Sequence, residues 1–311
     1  MTKTWLSFQG QVQQLRERGM KIDEDAACSH FLSCINYYRF SGYFRYWQQA
    51  PIQGNNNFIA NADFTTIRDV YLAEQRVAGQ VVLALRRIEI LLRTKFAHYY
   101  ARIASPCGAL TRGECFTQPS NEKAWRVQDY VMRDLDRSKE AFIEHYRDDA
   151  CRNTQGKYLP DAYAATPVWV AVESLSFGTL SRCIEASALN GALAQIASDI
   201  AVSRAFFASQ VKSFVYLRNR IAHHARIWNH SVLDAPALAP NIKRRARQNH
   251  GMFEPRSVYT VLVALDEMLT SAKMEREWLS STIDPIINSN QLLKRGLTDP
   301  KKYGEMNLKE S

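Results

Sequence analysis

No run of apolar residues in this 311-residue chain approaches the roughly 20 needed to cross a bilayer, so no membrane span is expected. The first ten residues lack the apolar core of a secretory signal, which points to a cytoplasmic protein. The six cysteines, Cys28, Cys34, Cys107, Cys115, Cys151 and Cys183, include no Cys-x-x-Cys pair. Cys107 and Cys115 have no histidine at zinc-finger spacing either. Reduced, structural thiols fit this pattern better than a disulfide scaffold, which a chain of this length does not need. A Walker loop, a dinucleotide fingerprint and an internal repeat are all missing, so no cofactor is expected.

What is present is a large apolar fraction, 46%, and an excess of base over acid. Forty Lys and Arg stand against 31 Asp and Glu, a formal charge of +9, which favours a nucleic-acid partner. Apolar periodicity is helical almost throughout, and alternating strand patterns are lacking. Residues 4–18 give a first amphipathic segment, and Asp23, Glu24 and Asp25 can cap a second. Between Tyr37 and Trp47, seven aromatic rings surround Arg39 and Arg45. Two readings stand for that segment. It is a stacking platform for single-stranded RNA built on Arg39, Tyr43 and Arg45, or a helix–turn–helix corner packed around Gly42.

Residues 48–63 read as a polar loop, after which Asp63 caps the longest helix, 64–103. On it Arg86, Glu89 and Arg93 share a face, so Glu89 can pair with both arginines. Further helices are expected at about 121–148, at 167–178, at 179–189 and within 200–229. Val258–Met268 and Met274–Leu279 complete the helical part. The basic run Lys243, Arg244, Arg245 is a solvated edge or a phosphate contact. The expected organisation is an N-terminal helical subdomain over 1–60, a main helical domain over 61–298 and a flexible tail over 299–311.

The segment from Tyr216 to Asn229 carries the chemistry. It holds Arg218, Arg220 and Arg226, His223 and His224, and Asn219 and Asn229 within an apolar period. If 213–228 is one helix, then Phe214, Leu217, Ile221, Ala225 and Trp228 form the buried stripe, with Asn219, His223 and Arg226 opposite. His224 falls on a flank, suited to a supporting hydrogen bond. Arg218 lies about 140° around the axis from His223, at 100° per residue. The two converge only through the reach of the arginine, a bend, or a second copy of the chain.

A histidine exchanges protons near neutral pH, and arginine stabilises charge on phosphoryl oxygens. This pairing suits RNA cleavage in which the substrate's own 2′-hydroxyl attacks. No paired carboxylates stand beside the motif to hold two metals. One histidine per chain is thin for both acid and base, which favours a homodimer.

The string Arg218-Asn219-Arg220-Ile221-Ala222-His223 matches the Arg-x4–6-His motif of HEPN domains. The wider string 217–229, together with 37–43, 87–93 and 167–178 in the same order, resembles bacterial Abi-like abortive-infection proteins of the AbiD/AbiF type. The resemblance spans about residues 5–270. It implies an all-α, HEPN-like helical bundle with additional N-terminal and C-terminal helices. It also implies metal-independent endoribonuclease activity as the toxic effector of antiviral defence, with a neutralising protein or small RNA as a further partner. Arg218, Asn219 and His223 carry over as catalytic residues, supported by His224, Arg226, Glu89 and Arg93; His224 also satisfies the Arg-x4–6-His spacing, so the choice between the two histidines stays open. A non-catalytic RNA-binding module and a structural or regulatory partner protein are the alternatives.

Overall fold

Asp63 opens the longest helix as the sequence indicates, its Oδ1 accepting the Thr66 amide at 2.7 Å. The computed structural model describes residues 4–121, 123–306 and 308. Three helices precede that cap: α1 (Phe8–Glu17), α2 (Asp25–Ile35) and α3 (Tyr37–Phe44). Ser7 caps α1 through the Gly10 amide, whereas Glu24 precedes α2 without a side-chain cap. The corner between α2 and α3 is Asn36, not Gly42. Asn36 takes φ +72°, and its side chain accepts the Tyr38 amide. Gly42 lies inside α3.

The expected loop at 48–63 contains a small antiparallel hairpin, β1 (Gln48–Ala50) with β2 (Asn55–Phe58). Gly54, at φ +88°, turns it. Polarity hid these strands, because they lie at an edge and little of either is buried.

Helix α4 (Phe64–Tyr100) is the axis of the fold. Ile67, Val70, Val77, Val81, Leu85, Ile88, Leu92 and Phe96 make its buried stripe. Helices α3, α8 (Val168–Ala171), α9 (Phe177–Ala186), α10 (Ala192–Asp199), α11 (Arg204–Ala222), α13 (Val258–Ser271), α14 (Asp284–Asn288) and α15 (Gln291–Thr298) all pack against it. The others are α5 (Ala109–Arg112), α6 (Val127–Arg137), α7 (Ala141–Tyr146) and α12 (Pro240–His250). The helical fold class expected from periodicity is therefore observed.

Several expected helices are shorter. The segment 121–148 divides into α6 and α7, since Ser138 takes an extended conformation. The segment 167–178 divides too. Arg93 donates to the carbonyls of Val172 and Leu175, so the backbone leaves the helical ladder there, and Ser176 caps α9 afresh through the Thr179 amide. Residues 274–277 are not helical; Trp278 opens a helical turn that continues as a π-helix from Leu279, whose amide is held by Asp266. The described part of the 299–311 tail makes contacts with the rest of the fold. The Tyr303 ring meets Tyr46, Asn229 accepts the Lys301 amide, and Leu308 is buried. Residues 307 and 309–311 lie outside the described residues.

Candidate active site at the end of α11

Helix α11 buries Phe207, Val211, Phe214 and Leu217. It ends at Ala222, six residues before the single-helix reading requires. Its ending is a Schellman motif. The His224 amide returns to the Ile221 carbonyl, and the Ala225 amide to that of Arg220. His224 occupies the left-handed position, φ +53°, where glycine is the usual residue. Nothing in the residue types announced this stop, because glycine and proline are both absent from it.

The end of α11 sorts the candidate residues into two groups. Arg218, Asn219 and His223 still belong to the helical ladder, as the His223 amide bonds the Asn219 carbonyl. Their angular separation therefore stands. Arg218 turns toward α4, where a guanidinium nitrogen lies 3.6 Å from Glu89. Its other terminal nitrogen donates to Asn219 Oδ1 at 3.1 Å. Asn219 thus orients the arginine rather than the histidine ring. His223 is exposed, and its imidazole makes no hydrogen bond among the described residues.

Glu89 also pairs with Arg93 at 2.7 Å, in a site where both side chains are largely covered. The expected partner Arg86 is exposed instead, and Arg218 takes its place. With Arg93 committed to two carbonyls, the triad leaves Arg218, at 39% side-chain exposure, as the cation open to solvent. That matters because a helix C-terminus presents carbonyls, which repel anions. A phosphate at this end must be held by side-chain cations.

Beyond the helix, the chain is fastened down. Arg226 does not share a face with His223. It donates to the Gly42 carbonyl and to the Tyr46 hydroxyl, and lies over the rings of Tyr43, Tyr46 and Trp228. Arg39 on α3 donates to the His224 carbonyl. The buried Glu74 carboxylate accepts the amides of Ile227, at 2.8 Å, and Trp228, at 3.2 Å. Burial raises the Glu74 pKa, against the lowering effect of those bonds and of Arg226. Sequence reading missed Glu74, because the amides it accepts are 153 and 154 residues away along the chain.

It also missed His230. The His230 Nε2 sits 2.6 Å from the Tyr216 hydroxyl. Burial, with Arg220 and Arg226 nearby, lowers its pKa to about 4.

The expected stacking platform is not assembled as read. Tyr43 is 3% exposed and stacks on Trp228, so it offers no face to a base. Arg45 is half-buried, bonded to the Pro51 carbonyl and set over Tyr303. Arg39 is exposed and adjoins the α11 turn. Lys243, Arg244 and Arg245 lie on α12, and no hydrogen bond or ion pair among the described residues joins them to the motif. No group of three His, Cys, Asp or Glu side chains among the described residues is placed to hold a metal ion. No helix among them is long and apolar enough to cross a membrane.

Two outcomes are expected. His224→Gly relieves the left-handed backbone and should raise unfolding stability by about 1 kcal/mol, read by chemical denaturation. For His230, the folded pKa lies below the unfolded value of about 6.5. Its contribution is complete above that value and is lost as pH falls toward 4. Melting temperature should drop between pH 7 and pH 5, and His230→Gln should drop less over the same interval. An equal drop would show that His230 is not responsible.

A family model described as Abi-like protein matches residues 30–229. The matched stretch opens in α2, takes in α3, α4 and α11, and closes on Asn229, at the end of the fastened turn. No curated protein and no solved structure matches the chain. A match over more than half the length, ending on the site just described, makes this chain a member of the Abi-like protein family.

Proposed function

We propose that the chain is a HEPN-type endoribonuclease that acts as the toxic effector of abortive-infection defence. The observation that carries this reading is the presence of an open arginine, Arg218, and an exposed, uncommitted imidazole, His223, near the C-terminal end of one helix. Arg218 is held between Glu89 and Asn219, so its remaining donors are oriented before a phosphate arrives. Family membership supports a role in abortive infection.

In this reading His223 accepts the proton of a substrate 2′-hydroxyl. The 2′-oxygen bonds to the adjacent phosphorus as the bond to the 5′-oxygen breaks. The leaving 5′-oxygen takes up a proton, and the products are a 2′,3′-cyclic phosphate and a 5′-hydroxyl. DNA lacks the nucleophile and is spared. Arg218 stabilises the charge gathering on the non-bridging oxygens. His223 and Arg218 diverge around α11, so a two-fold pair of chains supplies the complementary groups, and a second imidazole for the leaving oxygen.

Purified protein incubated with end-labelled RNA, with and without EDTA, tests this. Cleavage should survive chelation and leave 2′,3′-cyclic phosphate ends. His223→Ala and Arg218→Ala should each lower the rate by at least about 100-fold. His223→Ala should keep the parental melting temperature, since the side chain is exposed. RNA binding without cleavage would replace this reading with a binding module, and neither activity would leave a structural or regulatory protein.

A further inference from the structure

A second cleft lies on the other side of α3, between α1, α3 and the hairpin, with a volume of about 620 Å³. Its lining includes Arg18 and Arg45 and, among the described residues, no carboxylate. Such a wall attracts an anion. The amides of Gln11 and Gln48 also line it. Gln48 is 4% exposed; its Nε2 donates to the Asn56 carbonyl, but its Oε1 has no partner among the described residues. Among the described residues, Gln11 Oε1 and Arg45 Nε lack partners as well. Solvent reaches none of these three atoms, so they lie behind the cleft wall rather than at its opening. At the rim the Tyr38 ring is 82% exposed, the one ring of the 37–47 segment that faces solvent this fully.

We infer that this cleft binds one nucleotide unit of a single-stranded RNA. Arg18 takes the phosphate and Tyr38 stacks on a base. The volume is of the size that small ligands occupy. Continuity with the α11 turn favours a strand over a free nucleotide. Tyr38 rims the cleft, and its neighbour Arg39 bonds the His224 carbonyl, so α3 joins the two places. The inference rests on the nuclease reading for its choice of RNA, while the site itself is argued from the cleft alone. It also moves the aromatic contribution from Tyr43, which is buried, to Tyr38.

Fluorescence anisotropy of the full chain with a labelled ten-nucleotide 2′-O-methyl RNA, which cannot be cut by 2′-hydroxyl attack, measures the site apart from cleavage. Tyr38→Ala and Arg18→Gln should each weaken binding about fivefold or more. Tyr38→Ala decides if Arg18→Gln, whose side chain bonds Tyr37, proves unstable. Crosslinks from a 4-thiouridine strand should map to residues 36–48. Competition by uridine monophosphate as tight as by the strand would identify a free nucleotide as the occupant. Parental affinity in both variants, or crosslinks confined to other segments, would overturn the inference even if the protein cleaves RNA. Binding that depends on Tyr38 in a protein without cleavage would instead sink the nuclease reading and leave the cleft standing.

Discussion

The buried carboxylate of Glu74 is the interaction on which the site depends. At 2% exposure it accepts two consecutive backbone amides, those of Ile227 and Trp228, and a hydrogen bond from Tyr43. A carboxylate taken out of water is costly unless its oxygens are fully used. Here they are used on the strand of chain that follows the motif histidines. The axis helix α4 therefore fixes where α11 stops, and with it the positions of His223 and His224. Arg226, in the same turn, ties it to α3 through the Gly42 carbonyl and donates to the Tyr46 hydroxyl.

From that anchor the rest of the molecule is tied together. Trp228 is fully buried, stacks with Tyr43 and Trp47, and donates to the Leu292 carbonyl on α15. Asn229 bonds the Gly296 carbonyl with its amide and takes the Lys301 amide with its side chain. Gly296 is a glycine because a side-chain carbon there would fall on the Trp228 indole. The run 225–229 thus joins the N-terminal helices, the axis helix and the C-terminal helices. The motif string is half exposed chemistry, up to His224, and half fastening, from Ala225 onward.

That division explains what the sequence conceals. The length and start of α4 were legible because Asp63 is a good cap and the apolar stripe is long. The pairing of Glu89 with Arg93 followed from i, i+4 spacing. The placement of Arg226 did not, since an angular wheel is valid only while the helix lasts, and a Schellman ending with histidine at the left-handed position carries no composition signal. Tyr43 looked like a base-stacking ring because aromatic and basic residues alternate there. The alternation in fact separates a buried face from Tyr38 and Arg39 outside. Glu74 and His230 act through tertiary contacts with distant backbone and with Tyr216, which no local pattern records.

Arg218 and His223, divergent on one helix, are proposed to work across two chains. A heterodimer purified with one chain carrying Arg218→Ala and the other His223→Ala measures this directly, assayed on labelled RNA beside the two homodimeric variants. The heterodimer should recover a substantial part of the parental cleavage rate while both homodimers stay inactive. Full activity from a verified monomer of the parent chain would contradict it.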